Sequence, residues 1–455
     1  MFKPKIPSNA QYLIAILEED GYEPYIVGGC VRDSSLGREP NDWDICTSAK
    51  PEEIINLLEC YDDIEIIPTG LKHGTITAHI NGENYEITTY RIDGDYSDNR
   101  RPDSVIFVDD INKDLSRRDF TINAMAYNHR DGLVDPFSGL VDLALGIIRC
   151  VGNPDDRFQE DALRILRALR FAATYGFKIE EETASAVHRN KELLKNISAE
   201  RIQSELCKML CGEGVLDILL NYSDVMAVII PELEPCIGFN QNNPYHKYTV
   251  YEHIAHAVAN YKGTDISIKM ALLLHDIGKP ECFTEDTICG TGGHFYGHGV
   301  HSADIARDVM ERLKFDNKTK ADVIELVLYH DADIMPRFRQ VRRWLNKVGP
   351  DILEKLIAVR IADIGAQSEF NQKSRVDLCH AIAGVAKDVL AQQQCFQIKD
   401  LVINGNDILA LGIKPGPKVG EILNHLLNKV IDEEIENNYH DLMSKVEEYL
   451  KGEEK

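Results

Sequence analysis

Two carboxylates stand two residues apart in the stretch Asp42-Trp43-Asp44-Ile45 of this 455-residue chain. On a strand, side chains at i and i+2 point to one face, so Asp42 and Asp44 project together. They repel each other unless a cation sits between them, and a divalent metal is the usual solution. Upstream, an apolar run at 25–27 ends in Gly28-Gly29, where backbone can approach a phosphate closely and aim N–H groups at it. Arg32 lies just beyond, a guanidinium able to take phosphate oxygens bidentately. A turn and a solvated acidic loop would account for DxD by itself. Glycines, arginine and paired carboxylates together make a site for a nucleotide and its metal.

These residues also carry a resemblance. GGCVRD followed by DWDI resembles motif A of the DNA polymerase β nucleotidyltransferase superfamily, in the branch holding bacterial CCA-adding enzymes and poly(A) polymerases.

The elements that must position the pair can be read around it. Ser8 can cap a helix through about Asp20 that stops at Gly21. The glycine-pair strand and the DWDI strand follow, then a helix from 51 opened by proline and two glutamates. Residues 75–80 and 85–90 alternate around Asn81-Gly82, which predicts a hairpin. Glu86 on its second arm is either a third carboxylate for the metal or a strand residue paired with Arg91. Residues 91–104 are polar and short of apolar anchors, which predicts a mobile loop. Over 116–128, Asp119 reads as a cap, with Phe120, Ala124 and Tyr127 on one helical face. Arg117 and Arg118 then sit at a helix start, where an anion is needed to offset them. RRDFTINA resembles the family's motif B, which implies that Arg118 contacts the triphosphate and Asp119 helps recognise ribose. DPFSGLVDL at 135–143 matches its short connecting motif.

The stretch 159–171 reads as one helix. Arg164, Arg167 and Arg170 recur every three residues, with Asp161 one step earlier and a leucine stripe at 163, 166 and 169. A solvated basic face would look the same. EDxxRxxR, however, resembles motif D, which in this family stands in for a nucleic-acid template. The residue types suit that work. Cytosine and adenine each offer an amino donor beside a ring-nitrogen acceptor, whereas a carboxylate only accepts and a guanidinium only donates. Asp161 with Arg164 therefore complements C and A and opposes G and U, leaving Arg167 and Arg170 to hold phosphate or the bound base. RIQSEL at 201–206 resembles the last motif, a brace for the neck.

From about 215 the chain reads as successive helices, and histidines gather there: His253, His275-Asp276, His294, His298, His301 and His330, with Asp363 further on. Imidazole and carboxylate together suit a catalytic divalent metal with open positions. The order H…HD…D resembles the HD superfamily of metal phosphohydrolases, which implies a ligand set of His253, His275, Asp276 and Asp363. A helical tail that keeps its ligands without turnover is the plain alternative. His298 and His301, three apart, are candidates for a substrate phosphate or a second metal.

Composition bounds the rest. Fifty basic against seventy-four acidic residues give −24, unusual for a nucleic-acid binder. Part of the excess is local, since 431–455 hold nine acidic and three basic residues. The basic residues that matter must therefore be clustered. No apolar run reaches the ~18 residues of a membrane span and no signal peptide opens the chain. Eleven cysteines without any CxxC predict reduced thiols in the cytoplasm.

The expected fold is α+β: a polymerase-β-type head with a mixed sheet over 1–150, a helical neck over 151–235, a helical HD domain over 236–385 and a helical arm over 386–455. The resemblance implies addition of CCA to tRNA from CTP and ATP by two-metal nucleotidyl transfer, with two Mg²⁺ at Asp42 and Asp44 and a further divalent metal at the HD site. Poly(A) polymerase and an A-only enzyme are rivals within the class. The segment TGLKHGTITA at 69–78 resembles the CCA-adding version, and an intact 91–104 loop argues against a CC-only enzyme. An HD phosphohydrolase whose head merely binds RNA is the rival from another class.

Overall fold

The computed structural model describes residues 3–94, 104–242, 247–285 and 293–453. Two compact units make up the chain, Met1–Glu234 and Pro235–Lys455. The first is mixed α+β and the second almost wholly helical. Among the described residues no helix is long and apolar enough to cross a membrane.

The first unit begins with nine strands, β1 (Tyr25–Val27), β2 (Ile45–Thr47), β3 (Glu65–Gly70), β4 (Thr75–Ile80), β5 (Glu83–Thr89), β6 (Arg91–Asp93), β7 (Val105–Phe107), β8 (Ala126–Asn128) and β9 (Gly132–Val134), and two short ones follow, β10 (Ile147–Ile148) and β11 (Lys178–Ile179). Seven of them form one sheet in the order β3-β4-β5-β2-β1-β8-β9. Within that sheet only the β2–β5 pair is parallel, and it sets Ile45 beside Ile87. The β4–β5 hairpin turns at Asn81 and Gly82, with φ of 52° and 83°, as an Asn-Gly two-residue loop requires. The first helix, Ser8–Glu19, has no side-chain cap and takes Ser8 inside its first turn.

Several expected elements differ. The strand after Asp42 and Asp44 begins only at Ile45, so the carboxylates lie on the extended approach to it. Residues 116–128 are not a helix: a 3₁₀ turn at Thr121–Asn123 leads into β8. Residues 120–128 are buried throughout, and β8 bonds β1 through Ile26↔Tyr127 and Val27↔Ala126. Where every side chain is buried, spacing cannot mark a face, and sheet pairing overrides local propensity. The polar loop is shorter than expected, because 91–93 pair with 105–107. The rest of it, 95–103, lies outside the described residues.

The segment expected as one helix over 159–171 is two. Pro154–Glu160 ends at Asp161 in an extended conformation (φ −135°, ψ 103°), and Leu163–Tyr175 begins two residues on. The Asp161 carboxylate accepts from Leu163 N at 3.0 Å, satisfying an N–H that would otherwise be orphaned at a helix start. The second helix packs on Ala199–Leu210.

In the second unit, the helix Ile266–Leu274 is the central element, buried from Ser267 onward and capped by Asp265, which accepts from Ser267 N at 2.8 Å. Around it lie Val250–Asn260, Asn317–Tyr329 and Phe338–Gly365. The last is kinked at Gly349 (φ 81°) before Pro350. A separate apolar cluster, including Ile408, Leu426 and Leu442, holds the C-terminal helices together.

A Cβ on Gly212 would lie 2.4 Å from Ala173 C and 2.5 Å from its carbonyl oxygen. Both are backbone atoms that cannot rotate away. Gly212→Ala is expected to destabilise the first unit by about 1–3 kcal/mol, seen as a lower midpoint of its urea transition, with the second unit's transition unmoved.

Candidate functional site

Asp42 and Asp44 are brought against the sheet's centre by the backbone. Val27 N donates to Asp44 O at 3.0 Å, and the parallel β2–β5 register puts Glu86 beside Asp44. Burial, then the Asp42 and Glu86 carboxylates, push the Asp44 carboxyl up to about 6, against the pull of Arg118. Of the two readings of Glu86, the third carboxylate is the one this geometry favours, because Arg91 Nε donates instead to Asp93 at 3.0 Å. Three carboxylates gathered at one point suit a doubly charged cation.

Gly28 has φ 76°, and a Cβ there would sit 3.1 Å from Arg118 Nη1. Its N–H donates to Met125 O at 3.0 Å. The glycine is thus required twice, for its dihedral and for the arginine laid across it. Gly29 opens the short helix Gly29–Ser35. Arg32 is buried, donating to Asp33 at 2.9 Å through Nε and Nη2 and to Asn123 Oδ1 at 2.5 Å through Nη1. Its guanidinium lies 5.1 Å from the ring centres of Phe171 and Tyr175, and Tyr175 Oη donates to Asp33 at 2.9 Å.

Arg118 depends on a residue that sequence reasoning passed over. Asp114, wholly buried, accepts from Arg118 Nη2 at 3.1 Å, Arg117 Nη2 at 2.7 Å and Arg91 N at 3.3 Å. Burial alone would raise its carboxyl, but the Arg118 and Arg117 charges outweigh it and hold it below the usual value. Arg118 Nε is buried and, among the described residues, has no acceptor. The signal existed, since Asp114 precedes the two arginines by three and four residues, the spacing that meets on one helical face.

Asp119 accepts from Phe120 N at 2.8 Å, Asn123 Nδ2 at 3.0 Å and Arg167 Nη2 at 2.6 Å. Burial raises its carboxyl, but Arg167, Asn123 and Arg164 together hold it well below the usual range. The expected arginine stripe is paired along its length. Arg164 bonds Glu160 and donates to Arg117 O at 3.0 Å, while Arg170 meets Glu205 at 2.9 Å. Asp161 Oδ2 accepts from Arg201 at 2.9 Å. Phe171 lies among three guanidiniums: Arg32, Arg167 at 5.2 Å and Arg170 at 4.0 Å.

In the second unit, His253, His275, Asp276 and Asp363 converge from three elements. His253 Nε2 is 2.9 Å from Asp363 Oδ1, 3.2 Å from His275 Nε2 and 3.2 Å from Asp276 Oδ2. The diverging neighbours His275 and Asp276 still meet, with Nε2 and Oδ2 3.3 Å apart. His275, Asp363 and His253 can share one ion. Asp276 Oδ1 is buried and, among the described residues, has no hydrogen-bond partner. Lys279 Nζ stands 2.6 Å from Asp276 Oδ2 and 3.0 Å from Gln241 Oε1. Of the other histidines, His301 bonds Glu281 at 2.6 Å, away from the cluster. His298 meets His330, whose part in the cluster the sequence did not reveal, with Nε2 atoms 3.1 Å apart.

Three family models match the chain: the poly A polymerase head domain over 24–149, a probable RNA and SrmB-binding site of polymerase A over 176–237, and a putative tRNA nucleotidyltransferase domain 2 over 298–446. A CCA-adding enzyme of Limosilactobacillus fermentum is 33% identical over 449 residues, 97% of each chain. The Bacillus stearothermophilus CCA-adding enzyme, solved in complex with CTP, is 28% identical with a TM-score of 0.72 over 98% of each chain. The Thermotoga maritima CCA-adding enzyme complexed with tRNA shares the fold at 21% identity and a TM-score of 0.62, covering 98% of this chain and 97% of that one. On the full-length match, the chain belongs to the family of CCA-adding enzymes.

Asp114→Asn leaves two guanidiniums without their buried counter-charge, which costs about 3–5 kcal/mol at pH 7. A carboxyl depressed on folding stabilises above its unfolded value and loses that contribution as pH falls through the folded one. The gap in urea midpoint between wild type and Asp114→Asn is therefore expected to hold at neutral pH and to narrow below 3.8, the ordinary value. A gap that stays constant down to the acid transition would count against the pairing.

Proposed function

We propose that this member of the CCA-adding enzyme family adds C, C and A to the 3′ end of tRNA from CTP and ATP without a nucleic-acid template. The observation that carries this is the match to a CCA-adding enzyme along 97% of both chains. In this reading Asp42 and Asp44 are the catalytic carboxylates, with Glu86 beside them. Mg²⁺ bound there would activate the tRNA 3′-hydroxyl and neutralise the departing pyrophosphate. The 3′ oxygen attacks the α-phosphorus in line, the bond to pyrophosphate breaks, and the hydroxyl proton passes to solvent.

The chain's own groups bind and orient. Gly28 and Gly29 let the triphosphate approach the backbone, with Arg32 and Arg118 as its cations; the spare buried N–H of Arg118 supports that assignment. Asp119 faces the ribose and positions Arg167. Asp161 and Arg164 present the acceptor and donor that fit C and A. Each Asp161 oxygen keeps a free lone pair beside its one bond to Leu163 N or Arg201. Arg167 and Arg170, held around Phe171, take phosphate or the bound base.

For the second unit the reading is a metal-dependent phosphohydrolase of the HD type. His253, His275, Asp276 and Asp363 would hold a divalent ion there, supplying Lewis acidity towards a phosphoester. The head covers about 1–150, the neck 151–235, the HD domain 236–385 and the arm 386–455.

Transcripts of tRNA lacking the last one, two or three nucleotides, offered each NTP separately, test the main reading. CTP is expected to extend the two shorter transcripts and ATP the longest. Extension of the longest alone would make the protein an A-only enzyme, and runs of A on any RNA a poly(A) polymerase. Asp44→Ala should abolish addition and spare metal-dependent phosphate release, with Asp276→Ala doing the reverse. If either variant lost both or neither, the division of labour would fall.

Asp161→Asn replaces a pure acceptor by a group that also donates. Losing a charged hydrogen bond costs about 1.5–3 kcal/mol, so discrimination against UTP and GTP should fall at least about tenfold. Unchanged misincorporation with a collapsed rate would confine Asp161 to holding Arg201.

A further inference from the structure

We propose that Tyr175 is a positioning residue for the nucleotide's triphosphate, fixing the Arg32 guanidinium through the carboxylate of Asp33. This rests on the reading above that Arg32 takes triphosphate oxygens, and it extends the binding machinery to a residue outside the glycine-pair and arginine motifs.

The pairing of Arg32 with Asp33 carries the first part of the argument. Both stand on the short helix Gly29–Ser35, where neighbours in sequence point about 100° apart and do not face each other. Yet Arg32 Nε and Nη2 each donate to one oxygen of Asp33 at 2.9 Å. A fork between adjacent helical side chains persists when something outside the helix holds the carboxylate. Tyr175 supplies that hold. Its Oη donates to Asp33 Oδ1 at 2.9 Å, the same oxygen that takes Arg32 Nε. Among the described residues no other side chain donates to the Asp33 carboxylate.

Tyr175 is the last residue of the helix Leu163–Tyr175, which Gly176 ends at φ 66°. Its ring stacks on Phe171, with centres 6.2 Å apart and planes at 15°, and the Arg32 guanidinium lies 5.1 Å from both ring centres. Arg38 lies 4.9 Å from the Tyr175 ring centre. A phenylalanine would serve these ring contacts equally. The hydroxyl is used for Asp33.

A donor count shows what the arrangement leaves for a ligand. A guanidinium carries five N–H groups. Asp33 takes two, and Asn123 Oδ1 takes a third from Nη1 at 2.5 Å. One N–H on each of Nη1 and Nη2 is left, among the described residues, without an acceptor. Two donors in one rigid plane match two oxygens of a phosphate. Turning the plane turns both, so the hydroxyl that stops Asp33 from swinging sets where the phosphate binds. CTP and ATP share the triphosphate and differ in the base, so this hold serves both alike.

The test is affinity by isothermal titration calorimetry for CTP, ATP and inorganic triphosphate, using the full chain with Mg²⁺ and no tRNA. Tyr175→Phe keeps the ring contacts and removes the hydroxyl, and its melting curve checks that it folds. It is expected to bind all three ligands about tenfold more weakly. In steady state KM for CTP and ATP should rise together while kcat and the choice between C and A stay unchanged, a split that lost packing alone would not give. Asp33→Asn breaks the same hold from the other side, and adding Tyr175→Phe to it should cost nothing more. Losses that add would show that Tyr175 does not act through Asp33, and weakened CTP with unchanged inorganic triphosphate would place the effect on the base; either result overturns the proposal. Wild-type affinities in Tyr175→Phe, alongside weakened ones in Arg32→Lys, would reduce Tyr175 to packing and leave the reading of Arg32 standing. Wild-type affinities in Arg32→Lys would remove Arg32 from the triphosphate, and both readings would fall.

Discussion

Repulsion among like charges at the end of β1 organises the first unit. Asp44 lies half-buried between Asp42 and Glu86, and among the described residues the guanidinium close to it belongs to Arg118. Arg118 is held in turn by Asp114, which also holds Arg117. Asp119, next in sequence, reaches Arg167 on the following helix pair. Charges placed this deep need partners, so the pairing extends from the sheet into the helices Pro154–Glu160 and Leu163–Tyr175. Local backbone choices follow from it: a glycine where Arg118 crosses, and a 3₁₀ turn in place of a helix so that Asn123 can bond both Asp119 and Arg32.

That network bears on how an acidic protein handles an anion. The net charge is −24, and Arg164, Arg167 and Arg170 are engaged by carboxylates on the same unit. Paired arginines do not present an open positive field; they present fixed donors at set angles. Such donors recognise shape and hydrogen-bond pattern better than they attract charge. In the reading proposed above, selection of C and A is a matter of donor and acceptor edges, and neutralised arginines suit it.

Much of this was legible in the sequence where a residue type has one physical use. Asn81-Gly82 names its turn, Gly28-Gly29 its backbone, and the order H…HD…D marks four side chains that meet from positions up to 110 residues apart. Periodicity failed where burial was complete. Phe120, Ala124 and Tyr127 fit a helix by spacing, yet every residue around them is buried and the strand pairing with β1 prevailed. The break at Asp161 was hidden because the side chain that ends one helix also serves the start of the next. His330 was invisible as a neighbour of His298 because 32 residues separate them and only the packing of two helices joins their rings.

Asp363 arrives at its cluster on the helix that restarts after the kink at Gly349 and Pro350. Each residue advances a helix by about 1.5 Å and about 100°. One insertion or deletion between Pro350 and Asp363 would therefore swing the carboxylate to a different side of the helix, away from His253. The same change upstream of the kink could be absorbed by the bend. Length in this segment is fixed while its surface residues are free to vary, so a lineage could drift in composition here and still be unable to gain or lose a single position.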